Sequence, residues 1–462
     1  MQQTSTDSTT MAHKTPPPGP RGKPIVGSML DAWRDPLVLM YEGFKTHGPM
    51  VQFRFMHLRY VTIADADAAH YVLVENAKNY HKSRNYQGLK VLLGQGLLTS
   101  EGDFWRQQRK LAQPAFHRER LTALGDTMVR CGQDLLTRWE REMRGKTFDL
   151  HSEMMRLTFR IVGLTLLSVD LDNEAKTVGE ALDVALHWAN DYVESVVRLP
   201  LWVPTAKNRK FAEAKNTLTV MVQRIVTERR EAIARGDAPG KDLLQMLLEA
   251  VDADTGATMS DAQLIDELLT LVLAGHETTA NALSFALWLL AEHKDIRTQM
   301  CEEIHTVLGD RAPTMSDLPK LTYTTQVIEE VLRLYPPAWC FEREALSDDT
   351  IHGYHIPKGT LLGIAPYVLH RNPKYFADPL RFDPSRFAKG SASERPKHAY
   401  LPFGGGPRIC IGNAFAMMEM QLLLAMIVPK FALERVPGHE VSLDAAVTLR
   451  PKGGLPMRSP AV

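Results

Sequence analysis

The stretch Phe403-Gly-Gly-Gly-Pro-Arg-Ile-Cys410-Ile-Gly412 constrains this chain more than any other part of it. The glycines at 404, 405 and 406 allow positive φ angles and a backbone approach that side chains would block. Gly412 opens an apolar, methionine-rich run, Asn413 to Val428, that reads as a buried helix. A sulfur at such a helix N-terminus faces unpaired N–H groups and the positive end of the dipole, which favour thiolate over thiol. Two readings follow. Cys410 is either a small buried residue beside a tight turn, as free cysteines often are, or a thiolate held under a flat apolar space. The second is what an axial ligand of a haem iron needs.

Lys plus Arg and Asp plus Glu both number 54, so no overall field draws the chain to nucleic acid or an anionic membrane. A hydrophobic content of 44% supplies a sizeable core. The four cysteines are scattered with no Cys-x-x-Cys pair, which speaks against disulfides or zinc and fits a reducing cytosol. No run reaches the roughly eighteen apolar residues of a membrane span. The nearest, Leu268 to Gly275, is stopped by His276 and Glu277. Residues 1–14 are rich in Ser, Thr and Gln and read as a disordered tail, neither signal nor anchor; residues 15–462 read as one domain.

Thr15 to Pro20 is a stiff extended lead-in. Val51 to Phe55 and Tyr60 to Ile63 predict a β-hairpin, and the chain from Asp65 to about Gly309 has helical periodicity. The apolar loop Leu199 to Pro204 interrupts it, and Ile351 to Tyr367 alternates like a strand. The fold class is mainly α with a small β region drawn from both ends of the sequence.

The longest helical candidate, Asp261 to Glu292, contains Ala274-Gly-His-Glu-Thr278. A mid-helix glycine costs roughly 1 kcal/mol against alanine, so Gly275 calls for a reason. The Thr278 hydroxyl can turn back to the Ala274 carbonyl and loosen the ladder, opening a groove for dioxygen and a water. Glu277 then offers a proton source toward solvent. A packing glycine in a buried helix is the plainer alternative. Glu330 and Arg333 share one helix face in apolar surroundings, a buried pair that needs further partners. Trp105 and Arg109 put an indole N–H and a guanidinium on one face, suited to an anion or simply solvated with Arg106 and Lys110.

In order along the chain, Trp105-x-x-x-Arg109, Glu277-Thr278, Glu330-x-x-Arg333, Pro384-Ser-Arg386-Phe387 and the cysteine loop resemble the motifs of cytochromes P450. The loop matches at Phe403, Gly404, Gly406, Arg408, Cys410 and Gly412, and the one mild departure is Ser385, where the family more often has Glu. The resemblance implies a prism-shaped single haem domain, with haem b on Cys410 as axial ligand. It implies propionate partners at Trp105, Arg109, Arg408 and Arg343, a structural network of Glu330, Arg333 and Arg386, and proton delivery by Glu277 and Thr278. Leu98, Ala274, Ala338 and Trp339 become pocket walls, and the loop around Trp202 a hydrophobic entrance.

The implied reaction is monooxygenation: two electrons and two protons cleave O2, one oxygen leaving as water and the other entering a C–H or C=C bond. A small lipophilic substrate follows from the apolar walls, a fatty acid by motif spelling or else a terpenoid or other natural-product scaffold. The chain stops soon after the cysteine-loop helix, so electrons are expected from a separate ferredoxin or flavodoxin with its reductase, docking near Arg106, Lys110 and Arg118. The expected protein is bacterial, cytoplasmic and monomeric, with no nucleic-acid partner and no membrane span. Rival readings are a peroxide-driven hydroxylase, against which the Glu277–Thr278 pair speaks, a haem-thiolate isomerase or dehydratase, and a non-enzymatic haem carrier.

Overall fold

The computed structural model describes residues 15–194, 199–237, 242–252, 256, 258–391 and 395–461. The tail expected over residues 1–14 lies outside the described residues, as does the side chain of Arg118.

The central helix runs unbroken from Asp261 to Glu292. Ser260 caps it: its hydroxyl accepts from the Gln263 N–H while Gln263 Oε1 accepts from the Ser260 N–H at 2.8 Å, a capping box. Its apolar residues are buried on nearly every face, the pattern of a core helix. The same holds for the helix Asn413–Lys430 that follows Cys410. The helix Leu150–Val162 lies so close to the central helix that a Cβ on Gly275 would come within 3.2 Å of Val162. The Thr158 hydroxyl donates across this contact to the His276 carbonyl at 3.0 Å. Gly275 therefore has a packing reason.

The main sheet of the β region has five strands, and three smaller sheets accompany it among the described residues. Met50–Phe55 and Leu58–Ile63 form the expected hairpin. Leu361–Ile364 joins parallel to Leu58–Ile63, Phe341–Ala345 runs antiparallel to it, and Tyr80–Lys82 closes the edge. The stretch Ile351–Tyr367, expected as strand, is divided. Asp349–Ile351 and Tyr354–Ile356 form a separate hairpin turned by His352 and Gly353, both at positive φ, and Pro366 starts a short helix to Leu369.

Helices and sheet meet around the expected ion pair. Arg333 and Glu330 are both 0% exposed, joined by two bonds of 2.6 and 2.8 Å. Arg333 also donates to the carbonyls of His370, Pro379 and Arg381, and Glu330 accepts the Asp383 N–H. Arg386 reaches Glu330 at 3.5 Å while donating to the Asp378 carbonyl. His370 then accepts the Leu401 N–H at 2.8 Å, tying the pair to the segment that leads into the cysteine loop.

Candidate functional site

The loop takes its shape from two glycines. Gly404 and Gly406 have φ of +73° and +66°, while Gly405 is extended at −157°. A Cβ on Gly406 would fall 2.1 Å from the Leu73 carbonyl oxygen, so only glycine lets the loop lie against that backbone. The Cys410 N–H donates to the Phe403 carbonyl at 2.9 Å. The exposed surface of Cys410 lines an internal cavity of about 620 Å³ bounded by the central helix, the sheet and the loop itself. Burial pushes its thiol up, outweighing the Gly412 N–H and the nearby Arg109 guanidinium, which pull it down. A bound metal deprotonates a coordinating thiol outright.

Cations crowd the cavity edge beside the loop. Arg408 donates to the Ser100 carbonyl at 2.9 Å and pairs with Glu101 at 2.5 Å, and its guanidinium sits 4.1 Å above the Trp105 ring. Trp105 therefore presents a ring face to Arg408. Arg408 Nη1 is buried with no partner, and burial draws the group down to about 10. Arg109 donates to the Ile409 carbonyl at 2.9 Å. Arg343 pairs in register with Lys82 across the sheet edge. Burial, then the charges of Arg343 and Arg408, hold the Lys82 ammonium well below its ordinary range. Three mutually repelling cations, Arg343 buried and Lys82 and Arg408 half-buried, and an unused donor next to an apolar slot fit a flat ligand that ends in carboxylates, as haem does. Lys82 belongs to no motif; only the strand pairing brings it here.

Across the cavity, the expected walls Leu98, Ala274, Ala338 and Trp339 line the space with Thr278. Phe403, Gly404, Gly412, Trp105, Arg109, Arg343 and Arg408 border the same cavity. The Thr278 hydroxyl donates to the Ala274 carbonyl at 2.7 Å, as its spacing predicted. Glu277 also borders the cavity, but its carboxyl is held from behind. The Thr448 hydroxyl donates to it at 2.6 Å and Arg450 lies 3.8 Å away. Arg450 in turn pairs with Asp444 at 3.0 Å and with Asp183 at 2.9 Å, whose side chain is 54% exposed. A buried acid is thus linked through one guanidinium to the surface. Thr448, Arg450 and Asp183 carry no motif and were not foreseen. The loop expected at the entrance does not reach the cavity: Trp202 is 83% exposed and is no part of the lining. The Lys110 ammonium pairs with Asp252, and Arg106 with Asp103.

A cysteine on a glycine turn under an apolar cavity, with cations at its edge and an acid and a hydroxyl opposite, defines a haem-thiolate site. The family model for cytochrome P450 matches residues 17–455. Cyclooctatin synthase of Streptomyces melanosporofaciens is 35% identical over 424 residues, covering 91% of each chain. Cyclooctat-9-en-7-ol 5-monooxygenase of the same organism is 34% identical over 423 residues, covering 91% of this chain and 90% of its own. Among solved structures, retinoic acid bound cyanobacterial CYP120A1 superposes with a TM-score of 0.85 at 28% identity, over 97% of this chain and 100% of its own. The chain belongs to the cytochrome P450 family. It is a haem-thiolate monooxygenase whose cofactor is haem b with a cysteine ligand. Among the described residues, no helix is long and apolar enough to cross a membrane.

Proposed function

We propose that this P450 oxygenates a terpenoid scaffold, with Cys410 as the iron ligand and Glu277 and Thr278 as the proton route. The observation that carries the reading is the position of Glu277, which borders the cavity and is linked through Arg450 to the exposed Asp183. Haem, when bound, supplies the activation of dioxygen. The propionate partners are Arg408, Arg343 and Arg109, with Lys82 added and with Trp105 bracing Arg408. Glu277 holds a proton at its carboxyl, since burial keeps it above the usual carboxylate range. Thr278 presents its hydroxyl on the cavity wall, and the Arg450 cation, itself paired with the exposed Asp183, offsets the charge left when Glu277 gives up its proton. Glu330, Arg333 and Arg386 fix the approach to the loop.

Two relatives named for cyclooctatin-type chemistry support the terpenoid class over the fatty acid. A separate ferredoxin or flavodoxin with its reductase supplies electrons to a monomeric, cytoplasmic enzyme. The Glu277–Thr278 pair favours dioxygen over a peroxide-driven cycle.

Thr278→Ala tests the reading. Product per NAD(P)H consumed is expected to fall by about tenfold or more, with the reductant still consumed. Unchanged coupling removes Thr278 from the route. Cys410→Ser is expected to lose the thiolate-type spectrum of the CO-bound ferrous protein, and a persisting spectrum sinks the ligand assignment.

A further inference from the structure

One wall of the cavity is the sheet itself, and it carries a polar group that the proton route and the cation cluster leave unused. Cys340, Glu342 and Tyr60 line the cavity there, together with Met29, Trp33 and Met40 from the helices Met29–Arg34 and Pro36–His47. Cys340 and Glu342, two residues apart along the chain, both line the cavity beside Tyr60. The Tyr60 hydroxyl is 3.4 Å from Cys340 Sγ. Its ring covers Gly363, the register partner of Glu342, where a Cβ would fall 2.1 Å from the Tyr60 oxygen.

The two carboxyl oxygens of Glu342 differ in their surroundings. Oε2 accepts from the Ser83 hydroxyl at 2.6 Å and from the Asn85 amide at 2.8 Å. The Tyr60 hydroxyl is the remaining side-chain partner of the carboxyl, and among the described residues Glu342 has no ion pair. Fixing Ser83 and Asn85 at the start of the helix Tyr86–Leu93 requires only Oε2. A buried acid without a cation is costly unless another donor reaches it. Burial raises its carboxyl, so it meets a ligand as a neutral group able both to accept and to donate. An alcohol has the same two capacities, and a hydrocarbon has neither.

We propose that Glu342 Oε1, with the Tyr60 hydroxyl beside it, is the subsite for an alcohol hydroxyl on the lipophilic substrate. The scaffold is held by that hydroxyl on the sheet wall while its oxidised carbon faces Thr278 on the helix wall. The inference rests on the terpenoid reading and adds that the substrate already bears a hydroxyl.

The test is spectral titration of the haem-loaded enzyme with matched pairs, farnesol against farnesene and perillyl alcohol against limonene. A hydrogen bond to a buried carboxyl predicts that each alcohol binds about tenfold tighter than its hydrocarbon. Glu342→Leu is expected to erase that ratio while leaving hydrocarbon binding within about twofold, and Glu342→Gln to keep most of it. If Glu342→Leu does not take up haem, Tyr60→Phe carries the test and is expected to reduce the ratio. A ratio near one in the parent enzyme, a ratio unchanged in Glu342→Leu, or farnesylamine binding tighter than farnesol overturns the hydroxyl subsite. If both members of a pair bind alike, only this inference falls. If none of the four compounds moves the spectrum, the terpenoid reading falls with it.

Discussion

The Thr448 hydroxyl donates a 2.6 Å hydrogen bond to Glu277 Oε1, so the acid of the central helix is held by a residue near the C-terminus. Asn281 donates to the same Thr448 at 3.2 Å, and His151 meets Asn281 at 2.8 Å. Burial raises the Glu277 carboxyl, and the Thr448 bond and the Arg450 charge each lower it. Removing either leaves burial less opposed, so the carboxyl stays protonated to higher pH. Thr448→Val and Arg450→Leu are both expected to move the alkaline limb of the kcat profile upward, by roughly one pH unit for a lost hydrogen bond. Glu277→Gln should show no such limb. Profiles that coincide with the parent's would mean that Glu277 does not feed the reaction.

The Glu330–Arg333 pair is fully buried and fully bonded, which makes its two halves unequal to its whole. Arg333→Leu strands a carboxylate at 0% exposure and leaves three carbonyls without their donor. The expected loss is about 3–5 kcal/mol in denaturant unfolding, together with weaker haem retention. The double variant Glu330→Leu/Arg333→Leu should lose less than the sum of the single ones, because no charge is left stranded. Strict additivity would show that the pair is not coupled.

What the sequence conveyed and what it did not divide along one physical line. The cysteine loop, the Thr278 back-bond and the Glu330–Arg333 pair are local: a few residues in one turn or one helix face determine each, and each stands where its spacing put it. Thr448 lies 171 residues from Glu277, and Asp183 lies 267 from Arg450. Lys82 meets Arg343 only through strand pairing. Such contacts follow from how the sheet and the F403–G412 loop close on the central helix, and a single sequence has no local signal for them. The strand expected to run on to Tyr367 failed for a local reason: Pro366 was available to open a helix.

Two glycines of the loop have similar φ and different surroundings. Gly404 has nothing within 4 Å of a built Cβ, whereas Gly406 meets the Leu73 carbonyl oxygen at 2.1 Å. Gly404→Ala should therefore cost only backbone strain, about 1 kcal/mol. Gly406→Ala adds a clash with main chain that cannot rotate away, about 2–5 kcal/mol, and displaces the segment that presents Cys410. Haem incorporation and chemical unfolding of the two variants check this. Equal effects would show that the contact with Leu73 does not shape the loop.

The loop that carries Leu97 and Leu98 into the cavity is clamped to the central helix by two carboxylates. Leu97 N–H donates to Glu267 at 3.0 Å and Gln95 N–H to Asp266 at 2.8 Å, while a Cβ on Gly96 would fall 2.0 Å from the Thr270 hydroxyl. Burial raises the Glu267 carboxyl from 4.5 to about 7, outweighing the Leu97 bond. With the pKa higher in the closed loop than in the open one, the closed form binds more protons between those values. The contribution to closure is therefore complete below pH 4.5, falls as the pH rises, and is lost above about 7. Amide exchange at Gln95 and Leu97, corrected for its intrinsic pH dependence, should report more frequent opening at about pH 8 than at about pH 5. Glu267→Gln has no proton to lose and should flatten the dependence. If parent and variant open with the same pH dependence, Glu267 is not the group that sets it.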